Sequence, residues 1–204
     1  MMSTRKPYAL LLLSAALLSA CASQSDEQAL SSDVSSSQVI QEGLPGGVTT
    51  EVEQIRAVVT AIDHSKRTFT LQDAQGHRRT LQAVPEMVNF PQLRVGDKVR
   101  ATVTIERVVF LREPDAVATP DGGAALLATA PEGSKPGMLM ADTVEVTARV
   151  MAIDTTQHTA TLVFADGSRK LVRVRPDVVL KTEYLNRQLV IRLTSALAIG
   201  VETE

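Results

Sequence analysis

"VVTAIDHSKRTFTLQDAQGHR" occupies residues 58–78, and "RVMAIDTTQHTATLVFADGSR" repeats its pattern at residues 149–169. With a shift of 91 residues, residues 57–88 and 148–179 carry the same amino acid at 13 of 32 positions without a gap. After Val88 the match weakens, and the last strand-like segments realign only with a slip of about one residue. A repeat of this length indicates two copies of one module of roughly 60 residues.

Alternating apolar and polar residues predict short β-strands in each copy. Phe69 and Leu71 share one strand face in the first copy, and Ala160, Leu162 and Phe164 share the equivalent face in the second. The segments "DAQG" and "ADG" follow these strands and predict hairpin turns. Short strands with frequent turn signals are typical of a small antiparallel barrel.

The sequence therefore predicts an all-β fold with two tandem small antiparallel β-barrels of the OB-like kind. A closed barrel is favoured because an open hairpin would leave the backbone groups at both of its edges unpaired. A single sandwich to which both halves contribute strands is the alternative. Since a module of this size has a marginal core, we expect the two copies to pack on each other.

The first residues have the pattern of a secretory signal peptide. Arg5 and Lys6 precede the apolar run "YALLLLSAALLSAC", which is too short for a permanent membrane-spanning helix. Its end, "LSAC" at residues 18–21, resembles the lipobox of bacterial lipoproteins, which implies acylation of Cys21 and cleavage before it. Cys21 is the only cysteine, so acylation would leave no thiol for a disulfide, catalysis or metal binding.

This reading divides the chain into five parts. They are a signal peptide at 1–20, an acylated cysteine with a flexible Ser-rich tether at 21–49, a first module at 50–112, a Pro/Gly-rich linker at 113–141, and a second module at 142–204. Without the signal peptide, 19 basic and 23 acidic residues give a formal net charge of −4. A nucleic-acid partner is disfavoured because it calls for a strongly basic face.

Four segments carry a resemblance to a known family: "VVTAID...RTFTLQDAQG", "NFPQLRVGDKV", "PEGSKPG" and "VTARVMAIDTTQHTATLVFADG". Together they resemble a family of bacterial secreted proteins and lipoproteins with tandem small β-barrel modules, and the resemblance covers nearly all of residues 51–202. It implies a location in the cell envelope and a small-barrel fold, and it supplies no activity or site residues. The segment "NRQLVI" departs from the pattern, since "VGDKVR" occupies its place in the first copy.

Catalytic motifs do not appear in the sequence. His64, His77 and His158 fall in predicted turns, none at the position equivalent to another. The sequence has no G-x-S-x-G and no H-E-x-x-H motif. We therefore expect a protein that is not an enzyme and that carries no cofactor.

Two groups of side chains are candidate binding residues. Five arginines lie on or beside predicted hairpin strands, where spaced guanidinium groups could grip an anionic envelope polymer: Arg78, Arg79, Arg169, Arg173 and Arg175. In "RKLVRVRP", Arg173 and Arg175 alternate with valines and are expected to project outward on the side of Arg169. Met138 and Met140 would project to one side of an extended chain, and thioethers suit Cu(I).

The function expected from the sequence is that of a non-catalytic, membrane-anchored lipoprotein that binds or scaffolds in the cell envelope. Its expected partners are the membrane, through the lipid anchor, and an envelope protein or anionic polymer. By the resemblance to bacterial lipoproteins, in which an aspartate after the acylated cysteine signals inner-membrane retention, Ala22 implies the periplasmic face of the outer membrane. The alternative is a periplasmic Cu(I)-binding protein that uses Met138 and Met140.

We predict that Cys21 is the lipidation site. Metabolic labelling with a fatty-acid analogue should mark the wild-type protein and not Cys21→Ser, because the thiol is the acyl acceptor. Equal labelling of the two proteins would contradict the prediction.

Overall fold

The computed structural model describes residues 29–113, 116–117 and 120–202. The all-β prediction is confirmed: within these ranges the elements are β-strands and two short 3-10 helices. The first copy contains β1 (Ser32–Val39), β2 (Gly46–Asp63), β3 (Thr68–Gln72), β4 (Arg78–Gln82), a 3-10 helix (Phe90–Gln92) and β5 (Lys98–Leu111). The second contains β6 (Gly122–Thr129), β7 (Gly137–Asp154), β8 (Thr159–Phe164), β9 (Arg169–Arg173), a 3-10 helix (Thr182–Tyr184) and β10 (Gln188–Val201).

The ten strands form one antiparallel sheet that is not closed into a barrel. Its order is β4-β3-β2-β5-β10-β7-β8-β9, with β1 added to β2 and β6 added to β7. Two separate closed barrels were expected because each copy alone would leave bare edges. The structure covers one edge of each copy in another way, since β5 and β10 pair with each other, and β4 and β9 lie at the two ends of the strand order.

The β5–β10 ladder joins the two copies. It runs without a break from the Leu189–Leu111 pair to the Val201–Val99 pair, and it places Ile105 opposite Ser195 at its centre. The strands β2 and β7 pair with the far sides of β5 and β10 in matching registers. The copies are therefore related by a local two-fold arrangement within one sheet.

The strands β1 and β6 lie where the sequence predicts a tether and a linker. Every residue of β1 is exposed, so the strand is held by its ladder with β2 and by the hydrogen bond that the Ser31 amide donates to Asp73 (2.7 Å). The strand β6 pairs with β7 in the same way. The sequence does not predict a strand at residues 32–39, because the tether was inferred from the lack of apolar residues and the strand is held by backbone pairing.

Bulges bend the two long hairpin strands at equivalent positions. The register shifts between Val59 and Ala61 in β2 and between Val150 and Ala152 in β7. A bulge increases the local bend and twist of a strand, which lets β3 and β8 fold over the core face. The strand β5, in contrast, pairs without a register shift on both sides.

The turn before the last strand is preserved despite the departure in sequence. Gly96 has a φ of +96° and its amide donates to the Val59 carbonyl at 2.8 Å. Asn186 takes that place in the second copy, with a φ of +62° and a bond to the Val150 carbonyl at 2.7 Å. Asn tolerates the left-handed region better than most residues, so "NRQLVI" makes the same turn as "VGDKVR".

The first core is completed by strands of the second copy. Phe69, Leu71, Met87 and Phe90 are buried at its centre. Three partly buried residues of β7 and β10 pack against this cluster: Met138, Ile199 and Val201.

The β6–β7 loop also reaches this core. The side-chain amide of the buried Asn89 donates to the carbonyls of Ser134 (3.3 Å) and Lys135 (3.1 Å), and Lys135 pairs with Asp97 at 3.0 Å. The loop of the second copy is thereby tied to the first.

The second core is likewise completed by a strand of the first copy. Ala148, Val150 and Leu162 form its buried centre, and Leu111 from β5 of the first copy packs against them together with Leu189. Each core therefore contains residues of both copies. This exchange satisfies the expectation that two small modules pack on each other.

Candidate functional site

An apolar cavity of about 290 Å³ lies over the second core. The second copy supplies most of its lining, including Val150, Ile153, Ala160, Leu162, Val172 and Val178. These side chains come from β7, β8, β9 and the segment before the second 3-10 helix. A largely apolar concave site is the usual form of a small-molecule pocket, and this volume is near the lower end of the usual range.

The two copies differ in how their cores are filled. In the first copy, the rings of Phe69 and Phe90 pack with their centroids 6.2 Å apart. Ala160 takes the place of Phe69 in the second copy, and Thr182 starts the 3-10 helix as Phe90 does in the first. Two phenyl rings are therefore absent, and Tyr184, two residues further along the helix, lines the remaining space.

The first copy supplies one wall of the cavity. Pro45, Gly46 and Gly47 contribute at the start of β2, and Val109 and Leu111 contribute from β5. Gly46 has a φ of +101°, and a Cβ there would collide with the carbonyl oxygen of Val109. Glycine at this position allows the β1–β2 loop to approach β5 closely.

The Arg175 guanidinium holds the β1–β2 loop at the cavity. It donates to the carbonyl oxygens of Gly46 and of Leu44 (2.9 Å), and it forms two 2.9 Å bonds with the carboxylate of Asp177. The Asp177 carboxylate in turn accepts a bond from the amide of Gly43 at 3.0 Å. This clamp joins the segment after β9 to a loop more than a hundred residues earlier.

The clamp sets the ionisation of Asp177. The hydrogen bond from Arg175, followed by the bond from the Gly43 amide, outweighs the opposing effect of burial and holds the pKa of Asp177 well below its ordinary value. Asp73 is also acidic. Burial raises its pKa, but bonds from Ser31 and His77 outweigh this and leave the pKa well below the ordinary value.

A row of polar side chains crosses three strands at the edge of the cavity. Gln38 of β1 lies opposite Thr49 of β2, and Thr49 lies opposite Arg107 of β5. All three belong to the cavity lining. Residues opposite each other in a ladder share a face of the sheet, so the row faces the same side as Val109 and Leu111.

Four of the five predicted arginines are exposed on the hairpins. Arg78 and Arg79 of β4 lie opposite Gln72 and Leu71, so as neighbours on a strand they point to opposite faces. Arg169 and Arg173 share one face of β9.

Arg175 does not lie on the exposed face of β9 that Arg169 and Arg173 share, which corrects the prediction that it projects outward. The strand β9 ends at Arg173, and beyond it the chain turns Arg175 toward the β1–β2 loop. The strand alternation on which the prediction rested therefore does not extend to residue 175.

The three histidines have local structural contacts. His64 packs against the Phe90 ring with centroids 5.6 Å apart, and His77 Nδ1 lies 2.9 Å from the Asp73 carboxylate. His158 Nε2 lies 2.9 Å from the Arg175 carbonyl oxygen.

The methionines of the copper alternative lie on β7. Met138 packs against the first core, whereas Met140, on the same strand face, is 42% exposed. Among the residues that the structure describes, no group of three His, Cys, Asp or Glu side chains is arranged to hold a metal ion. Cys21 lies outside the described residues.

The chain matches no protein-family model, no curated protein and no solved structure. Within the described ranges, no helix has the length and apolar character needed to cross a bilayer.

The sequence alone does not predict the cavity or the polar row at its edge. The alignment of the copies does contain an indication of the cavity. At a position predicted to face the core, the second copy has the small Ala160 where the first copy has the large Phe69. Arg107, Thr49 and Gln38 come from three separate strands of the first copy, and only the strand order shows that they are neighbours.

We predict that Asp177→Ala lowers the free energy of unfolding at pH 7, because the Arg175 guanidinium and the Gly43 amide lose their acceptor. A folded-state pKa below the unfolded value contributes stability above about pH 4 and loses it as the pH falls through the folded pKa. Urea unfolding of wild type and variant should therefore differ at pH 7 and converge as the pH falls below about 4.

Glu183→Ala is the matched control, since Glu183 is 63% exposed in its ion pair with Lys181. It should change the stability by less than about 1 kcal/mol at pH 7. A pH-independent difference between wild type and Asp177→Ala would contradict the account of the clamp.

Proposed function

We propose that this chain is a non-catalytic, lipid-anchored binding protein of the cell envelope whose ligand is a small molecule with its apolar part held over the second core. The observation that carries this proposal is the difference between the two copies. The first core is filled by Phe69 and Phe90, whereas the equivalent region of the second is an apolar cavity of about 290 Å³. Space of this kind is costly for stability, because a filled core gains contacts that an open one lacks.

The size and lining of the cavity support a small-molecule ligand. A sealed apolar cavity of about 150 Å³ is enough to bind benzene, so the cavity has room for a two-ring compound or a short alkyl chain. Its described lining contains no serine, cysteine, histidine or carboxylate. A nucleophile paired with a base would need such groups, so the lining supports binding over catalysis.

The anchor and the location remain part of the proposal on sequence grounds. Acylation of Cys21 would tether the protein to a membrane, and Ala22 favours the periplasmic face of the outer membrane. We also propose that each copy corresponds to one OB-like module whose edge has opened to pair with the other. The matching bulges, turns and registers of the copies support this relation.

We predict that Ala160→Phe weakens binding of the neutral dye N-phenyl-1-naphthylamine to the chain from Ala22 onward, which contains every residue that the structure describes. The added ring would occupy the place that the Phe69 ring fills in the first copy. Fluorescence titration should show saturable, one-to-one binding to the wild type and at least about tenfold weaker binding to the variant.

Leu171→Phe is the matched control, because Leu171 of β9 is 68% exposed and lies outside the cavity lining. It adds a ring to the same hairpin and should leave dye binding unchanged. No saturable binding to the wild type, or equal binding to wild type and Ala160→Phe, would overturn the proposal.

A further inference from the structure

We infer that the ligand of this cavity is an amphipathic anion, with its apolar body over the second core and its acidic head on Arg107. The inference rests on the proposed function and names the chemical class of its ligand. The observation behind it is that Arg107 lines this apolar cavity and has no ion-pair partner among the described residues.

The position of Arg107 is fixed by a regular strand. Since β5 pairs without a register shift, Arg107, Val109 and Leu111 lie on one face, and all three line the cavity. Arg107 is exposed at the end of this row, and Leu111 packs into the second core. The distance between them along the strand is about 13 Å. A ligand lying along β5 would therefore have one end in apolar surroundings and the other at a guanidinium group.

Arg107 forms no ion pair with any residue that the structure describes. Other cations of the central strands do form them: Arg100 pairs with Glu202 (2.6 Å), and Arg192 pairs with Glu145 (2.8 Å). The nearest acidic residue on the same face is Glu51, two positions along β2 from Thr49 and opposite Ile105. The other neighbour of Arg107 in the ladder is Leu193, which is uncharged. The guanidinium is therefore available for an anion.

The neighbours of Arg107 complete a polar end for the site. Thr49 provides a hydroxyl group and Gln38 an amide, directly across the adjoining strands. A guanidinium with neutral hydrogen-bonding groups beside it suits a carboxylate or a phosphate, whose oxygens accept several bonds. Arg175 cannot play this part in the same way, because Asp177 already balances its charge.

Decanoate and decanol test the inference, because they share an alkyl chain and differ in the charge of the head. Each is used to displace N-phenyl-1-naphthylamine from the chain from Ala22 onward, at low salt. We expect decanoate to bind the wild type about three- to tenfold more tightly than decanol, since Arg107 is partly solvated. The preference should shrink at high salt because exposed charges are screened.

Three variants separate charge recognition from structural effects. Arg107→Gln should remove the preference for decanoate over decanol, whereas Arg107→Lys should retain most of that preference because the charge remains. Arg94→Gln, an exposed arginine in the loop before β5, should behave as the wild type.

The outcomes distinguish the inference from the proposed function. Equal binding of decanoate and decanol to the wild type, or a preference unchanged in Arg107→Gln, would overturn the inference while dye binding still supported the cavity. Failure of the dye itself to bind would overturn both.

Discussion

The ladder between β5 and β10 is the interaction on which the rest of the structure depends. It pairs the last strands of the two copies along their whole length and centres them on Ile105 and Ser195. Because the pairing is antiparallel, the end of each strand is placed over the core of the other copy. Leu111 thus reaches the second core, and Val201 reaches the first. Neither copy has a complete core without this exchange, which fits the small apolar area that a module of this size can bury.

The same exchange explains how the copies can differ in role. The two loops that precede β2 and β7 are each tied to the opposite copy, one through Arg175 and Asp177 and the other through Asn89. The first core, filled by Phe69 and Phe90, supplies packing. The second core keeps its walls through the clamp and the shared strands, so it can retain an apolar cavity. We attribute the stability of the second copy, whose core holds the cavity, to its pairing with the first copy, whose core is filled.

The sequence predicts much of the secondary structure and little of the site. The faces of Phe69, Leu71 and Leu162 were identified correctly because period-two alternation reports burial on a strand. Strand β1 was missed because "SDVSSSQV" buries nothing and is held by backbone pairing. The open sheet was missed because the choice between closing an edge within one copy and pairing it with another depends on long-range geometry. The polar row depends on that same strand order, which no single segment encodes.

The central claim is that each core requires both copies, and separate production of residues 22–113 and 116–204 tests it most directly. Two-dimensional amide NMR spectra of each half alone and of their equimolar mixture are the measurement. We expect neither half to give the dispersed spectrum of a folded monomer, and we expect the mixture to form a one-to-one complex with the dispersed spectrum of the intact chain. A dispersed, monomeric spectrum from either half on its own would contradict the account.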